Sequence, residues 1–177
     1  MKSIQEIALE MGIETCIAFS ANLLQPRRSI RQLCKQNKCG NYGSHYMCPP
    51  LIGSLDEIRE RLSRYTSGYL LRYGCALDVR NDPQGLRQTK LSFHRGILRL
   101  EEHLISLDYG DVWGMIGGDC ALCDPCSIRT SSPCPYPDQA RTSLESISID
   151  VQEFLALFDL RSEFRPDKIT WTGCLLF

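Results

Sequence analysis

Seven of the ten cysteines in this 177-residue chain fall into two blocks. Cys34, Cys39 and Cys48 are spaced C-x4-C-x8-C and run into Pro49 and Pro50. Cys120, Cys123, Cys126 and Cys134 are spaced C-x2-C-x2-C-x7-C and run into Pro135. No other feature constrains the fold as strongly. Seven thiols in two short stretches must sit in loops that gather them, so the remaining chain has to supply a scaffold whose ends present those loops.

The length suffices for one well-buried core without disulfide staples. The first residues, MKSIQEIALEMGIE, carry Glu6, Glu10 and Glu14 and contain no continuous apolar stretch of the secretory kind. No apolar run approaches the roughly 18 residues that a membrane span needs. The expectation is a cytoplasmic protein, where thiols stay reduced and clustered cysteines signal metal or redox chemistry. A net charge of -1 argues against a nucleic-acid partner.

The second block has the tight two-residue spacers that wrap a chain around an iron–sulfur cubane, with a last spacer longer than the ferredoxin pattern. Short spacers aim backbone amides at the sulfurs, and Gly117 and Gly118 are expected to let the backbone come close. An iron–sulfur cluster, of the 4Fe–4S type, is the favoured cofactor. Tetrahedral zinc is the alternative, since C-x2-C suits it as well. In the first block three thiols lack a fourth partner. His45, Cys134, Cys174 or an open position could complete the set, and the favoured reading of His45 is that it only lines the loop. From Thr15 to Leu55 there is no Asp or Glu, while Arg27, Arg28, Arg31, Lys35 and Lys38 fall in that window. The favoured reading is charge balance for an anionic metal site. A docking patch for an acidic redox partner is the functional reading.

Patterning predicts a helix over 3–11, a strand over 15–24, and an irregular cysteine-bearing loop over 27–53. A helix starts at Ser54, where Ser54 and Glu57 form a capping box. A strand over 68–76 follows, then a long helix over 86–107 whose core stripe is Leu91, Ile97, Leu98, Leu104 and Ile105. A short strand over 111–116, a helix over 143–159 and a final strand over 168–177 complete the reading. This alternation predicts an α/β or α+β chain: one layered domain over 1–177, with a small central sheet, flanking helices and two cysteine-bearing metal loops. Cys16, Cys75 and Cys174 fall singly in apolar runs and read as core residues. His94 reads as a hydrogen-bonded core histidine, and His103 as solvent-facing.

The segments CKQNKCGNYGSHYMCPP and GGDCALCDPCSIRTSSPCPYPDQARTSLESISIDV resemble the predicted metal-binding proteins grouped as domain of unknown function 2284. The resemblance spans nearly the whole chain and implies metal ligands at Cys34, Cys39, Cys48, Cys120, Cys123, Cys126 and Cys134. It implies iron–sulfur binding in anaerobic prokaryotes and supplies no reaction. Three functions remain open at this point. One is electron transfer to a partner enzyme through one or two clusters, and another is a zinc-stabilised interaction module. The third is an enzyme with an open iron site at the first block.

Overall fold

The computed structural model describes residues 2–177. Four strands form one antiparallel sheet in the order β1-β2-β4-β3. They are β1 (Ile13–Ser20), β2 (Ser67–Ala76), β3 (Trp113–Met115) and β4 (Lys168–Leu176). With five helices flanking an all-antiparallel sheet, the architecture is α+β. The two central strands, β2 and β4, pair over nine consecutive residues, from Gly68 opposite Leu176 to Ala76 opposite Lys168.

Period-two alternation gives this sheet two apolar faces. Leu70, Cys174 and Leu176 point to one face, where they meet Ile58 and Leu62 of α3 (Leu55–Leu62) and Phe154 and Leu155 of α5 (Val151–Ala156). Leu71 and Leu175 point to the other, where α1 (Ile4–Glu10) and α4 (Pro83–Ser106) cover them with Ile4, Ile7, Phe93, Ile97 and Leu100. Each such fully buried Leu, Ile or Phe side chain stabilises by about 1.5–3 kcal/mol.

Helix starts follow from their caps. Ser3 with Glu6, and Ser54 with Glu57, form reciprocal capping boxes at α1 and α3. Asp82 caps α4, and Pro83 takes its first position, where a missing N–H costs nothing. The α4 core stripe differs from the expected one. Phe93, Ile97, Leu100 and Leu104 are buried, whereas Ile105 is 53% exposed, because the stripe follows the i, i+3, i+4 rows that face the sheet.

Two stretches depart from expectation. Residues 27–53 are not wholly irregular: Arg28–Lys35 form α2, a polar helix with no buried residue, which carries Cys34 near its end. Nor is 143–159 one helix. Residues 143–149 form buried turns, and Ser148 sits in the left-handed region at φ 75° with its carbonyl accepting from the Arg27 N–H at 2.8 Å. The helix begins only at the Asp150 cap.

At the β3 edge the sheet turns into the cysteine-bearing part of the chain. Ile116 pairs in parallel with Ser143, its N–H donating to the Thr142 carbonyl at 2.9 Å. The excursion that holds the second cysteine block leaves and returns at this bridge. Glu101 of α4 fixes both sides of it from beneath. Its carboxylate accepts from the Gly114 N–H at 2.6 Å and from the Arg141 guanidinium at 2.6–3.0 Å. A Cβ at Gly114 would collide with both the Glu101 carboxylate and the Ile97 side chain, so only glycine lets α4 approach this closely.

Candidate metal centre

The two cysteine blocks lie side by side. Cys34 comes from the last turn of α2, Cys39 from the exposed turn after it, and Cys48 from the buried end of the same loop. Together with Glu145, Ser146, Asn41, Tyr42 and Asp119 they line a cavity of about 250 Å3. Cys120, Cys123 and Cys126 line a second cavity of about 430 Å3 with Arg87, Lys90 and Arg129. Asn41 and Asp119 line both. Cys134 is not on the wall of the second cavity. It packs half-buried on the α4 side, near enough to Cys120 for the two thiolates to repel. It therefore stays with its own block and does not reach the first.

The wall between the cavities is polar and tightly bonded. Asn41 Nδ2 donates to Asp119 Oδ2 at 3.4 Å, and Lys90 Nζ donates to Asp119 Oδ1 at 2.5 Å. Burial works against the Asp119 carboxylate, but the Lys90 hydrogen bond and charge outweigh it and hold the pKa below its ordinary value. His45 is 5% exposed. Its Nδ1 accepts from the Met47 N–H at 3.2 Å, which leaves the proton on Nε2 to donate to the Cys120 carbonyl at 2.9 Å. Both ring nitrogens are committed, so His45 ties one cysteine loop to the other and is not the fourth ligand of the first block. Two more contacts tie the loops: Arg129 donates to the Gly40 carbonyl at 2.8 Å, and the Tyr46 hydroxyl donates to the Ser132 carbonyl at 2.9 Å.

Three of the seven thiols, Cys34, Cys48 and Cys120, are shifted by their surroundings. Burial pushes Cys48 up to about 11, partly opposed by a hydrogen bond from Ser146. Burial also raises Cys34, whose thiol lies 3.8 Å from the Glu145 carbonyl; the Arg31 charge opposes the rise. Burial raises Cys120 too, and the nearby backbone N–H groups of Leu122 and Arg141 oppose it. Those amides are the kind of donors that stabilise a metal-bound thiolate. A cis peptide bond occurs in each loop, at Pro49–Pro50 and at Asp124–Pro125.

The other candidates fall outside the site. Cys174 is fully buried in the sheet, 3.9 Å from Met115 Sδ, as a core residue. Cys16 is half-buried, and burial pushes it up to about 11. Cys75 is also half-buried, near the end of β2, and is not the core residue its apolar neighbours suggest. Gly117 makes its close approach to Trp171 and Thr172 of β4, not to a sulfur. His94 is 1% exposed and hydrogen-bonded to the Gln139 carbonyl at 2.8 Å, as expected. His103 is half-buried, its Nε2 3.1 Å from the Lys2 carbonyl oxygen. A larger cavity of about 530 Å3 lies on the far side of Met47 and Thr142 and holds no cysteine. Its main charges are already paired, Glu101 with Arg141 and Glu57 with the Ser54 cap, so it offers a ligand little.

Asn41, Lys90, Asp119, Glu145 and Ser146 join the site with no local sequence signal. They come from four segments distant in sequence, and only Asp119, next to Cys120, could have been singled out by position. Among the described residues, no group of three or more His, Cys, Asp or Glu side chains is gathered closely enough to hold a single metal ion. The thiols stand around cavities instead. The donor set is soft and rich in thiols, which suits zinc or iron–sulfur chemistry. No curated protein matches this chain, and no solved structure does. Residues 18–177 match the family described as predicted metal-binding protein. The chain belongs to that family, DUF2284.

Proposed function

We propose that the chain holds two iron–sulfur clusters and passes electrons through them to a protein partner in a reducing cytoplasm. Cys120, Cys123, Cys126 and Cys134 would hold one cluster, and Cys34, Cys39 and Cys48 would supply thiolates to the other. The observation that carries this reading is the pair of thiol-lined cavities divided by one wall of Asn41 and Asp119. Cavities of about 250 and 430 Å3 leave room for a polynuclear cluster with thiolates at separate corners. A zinc ion instead needs four donors about 2.0–2.3 Å from one point.

When bound, such clusters supply one-electron chemistry at potentials set by charge, hydrogen bonds to sulfur and exposure. The residues present act on those terms. The Leu122 and Arg141 amides lie near the Cys120 sulfur and favour its thiolate, and Arg31 sets a cation beside Cys34. Arg28, Lys35 and Lys38 are exposed around Cys34 and Cys39 and form a basic surface suited to an acidic redox partner. All ten cysteines are free thiols, in keeping with a reducing compartment.

The test is iron, zinc and acid-labile sulfide per chain in protein purified without oxygen, with the visible spectrum. Iron matched by sulfide is expected, and Cys123→Ser should lose about half of each. Stoichiometric zinc without sulfide would overturn the iron–sulfur reading in favour of a zinc-stabilised module.

A further inference from the structure

The first cysteine block offers three thiols to its cavity, and every other soft donor is committed elsewhere. His45 has both ring nitrogens in hydrogen bonds, Cys134 sits with Cys120, and Cys174 is in the sheet core. Asp119 has one carboxylate oxygen on Lys90 and the other on Asn41. Asp119 is thus neutralised by a cation, whereas the other carboxylate of the cavity, Glu145, makes no ion pair among the described residues. It lines the same cavity, and its charge is felt by the Cys34 sulfur. The side chain is open to solvent in that cavity, and the nearby Ser143 hydroxyl donates to Ser146 Oγ at 3.2 Å. A carboxylate has about four acceptor positions, so Glu145 has capacity for a metal.

We propose that Glu145 is the fourth ligand of the first cluster, so that one of its irons is held by oxygen while the other three are held by Cys34, Cys39 and Cys48. This rests on the iron–sulfur reading above. Carboxylate is a harder ligand than thiolate and holds iron less firmly in a sulfide cluster. The first cluster is therefore differentiated: one of its irons, on the Glu145 side of the cavity, is exchangeable. The second cluster has four thiolates and no such corner.

The experiment uses the full chain reconstituted without oxygen, as wild type, Glu145→Gln and Glu145→Cys. Each is titrated with ferricyanide, which takes one electron from the cluster as ferrous ion leaves. Released iron is counted with a ferrous chelator and the remaining cluster is followed by electron paramagnetic resonance. Wild type should release one iron per chain and show a three-iron signal that ferrous ion added together with dithionite, which returns the electron, reverses. Glu145→Cys should retain that iron, and Glu145→Gln should release it several-fold faster. Equal behaviour of all three proteins would overturn the assignment, as would full iron and sulfide with no release from wild type; either leaves the two-cluster reading standing. Absence of labile sulfide would sink both. Melting curves of the variants, at an exposed position, check that the fold is retained.

Discussion

Replacing Glu101 with Leu tests what holds the cysteine excursion to the sheet. The carboxylate is almost wholly buried, and its side chain is only 5% exposed. Removing it orphans the Gly114 N–H and the guanidinium of Arg141. Breaking a buried ion pair from one side costs about 3–5 kcal/mol. Here the lower end applies, because Arg141 is 21% exposed and keeps the Asp138 and Ala140 carbonyls at 2.9 and 3.0 Å. For a chain of this size a loss of about 3 kcal/mol lowers the midpoint by roughly 6–12 °C. Thermal unfolding followed by far-ultraviolet circular dichroism, at fixed metal content, reads the shift. The double variant Glu101→Leu with Arg141→Leu should recover part of the loss, since no charge is left unpaired. A drop below about 2 °C in the single variant, equivalent to under 1 kcal/mol, would refute the view that this pair anchors the β3 edge.

Two further perturbations probe the histidines. His94 is buried with Nε2 on the Gln139 carbonyl and Nδ1 without a partner, and burial lowers its pKa from the ordinary 6.5, with the Arg141 charge adding to the effect and the Gln139 bond opposing it. A depressed histidine pKa means that the unfolded chain takes up the proton first, so stability is intact above pH 6.5 and falls as the pH drops below it. Urea midpoints at pH 8 and pH 5 should therefore differ less in His94→Phe than in wild type; an unchanged difference would exclude His94 as the source. His45→Phe removes the bond to the Cys120 carbonyl without removing a ligand. It should cost about 1–3 kcal/mol for the orphaned carbonyl while metal per chain stays constant, and loss of metal in proportion to one cluster would make His45 a ligand after all.

The legible parts of this fold are those with local chemistry. Ser54 and Glu57 announce α3 by a capping box that pairs within four residues. The β2 and β4 strands read directly because both of their faces are apolar. The cysteine blocks are visible by spacing alone. The parts that escape reading are decided by distant partners. α2 has only a short Ile30, Leu33 and Cys34 stripe and buries none of it; Arg31 holds the helix in place through Ser148 and Gly53. Residues 143–149 carry enough apolar side chains for a helix, but the Arg27 N–H and the parallel bridge to Ile116 impose turns. The same holds at the site. Glu145 and Lys90 look like ordinary surface charges until α4 and the 143–149 turns bring them to the cavities.

The bridge between Ile116 and Ser143 gives the second cysteine excursion a closed base. Residues 117–142 leave and rejoin the scaffold at adjacent points, and Glu101 clamps both ends from α4. For a free loop of roughly 25 residues, the length-dependent entropy of bringing the ends together is about 3 kcal/mol. Packing of the sheet edge meets that cost during folding, before any cofactor arrives. Capture of metal then has only the interior of a closed ring to order, and its affinity is not drawn down by the search for the ring's two ends.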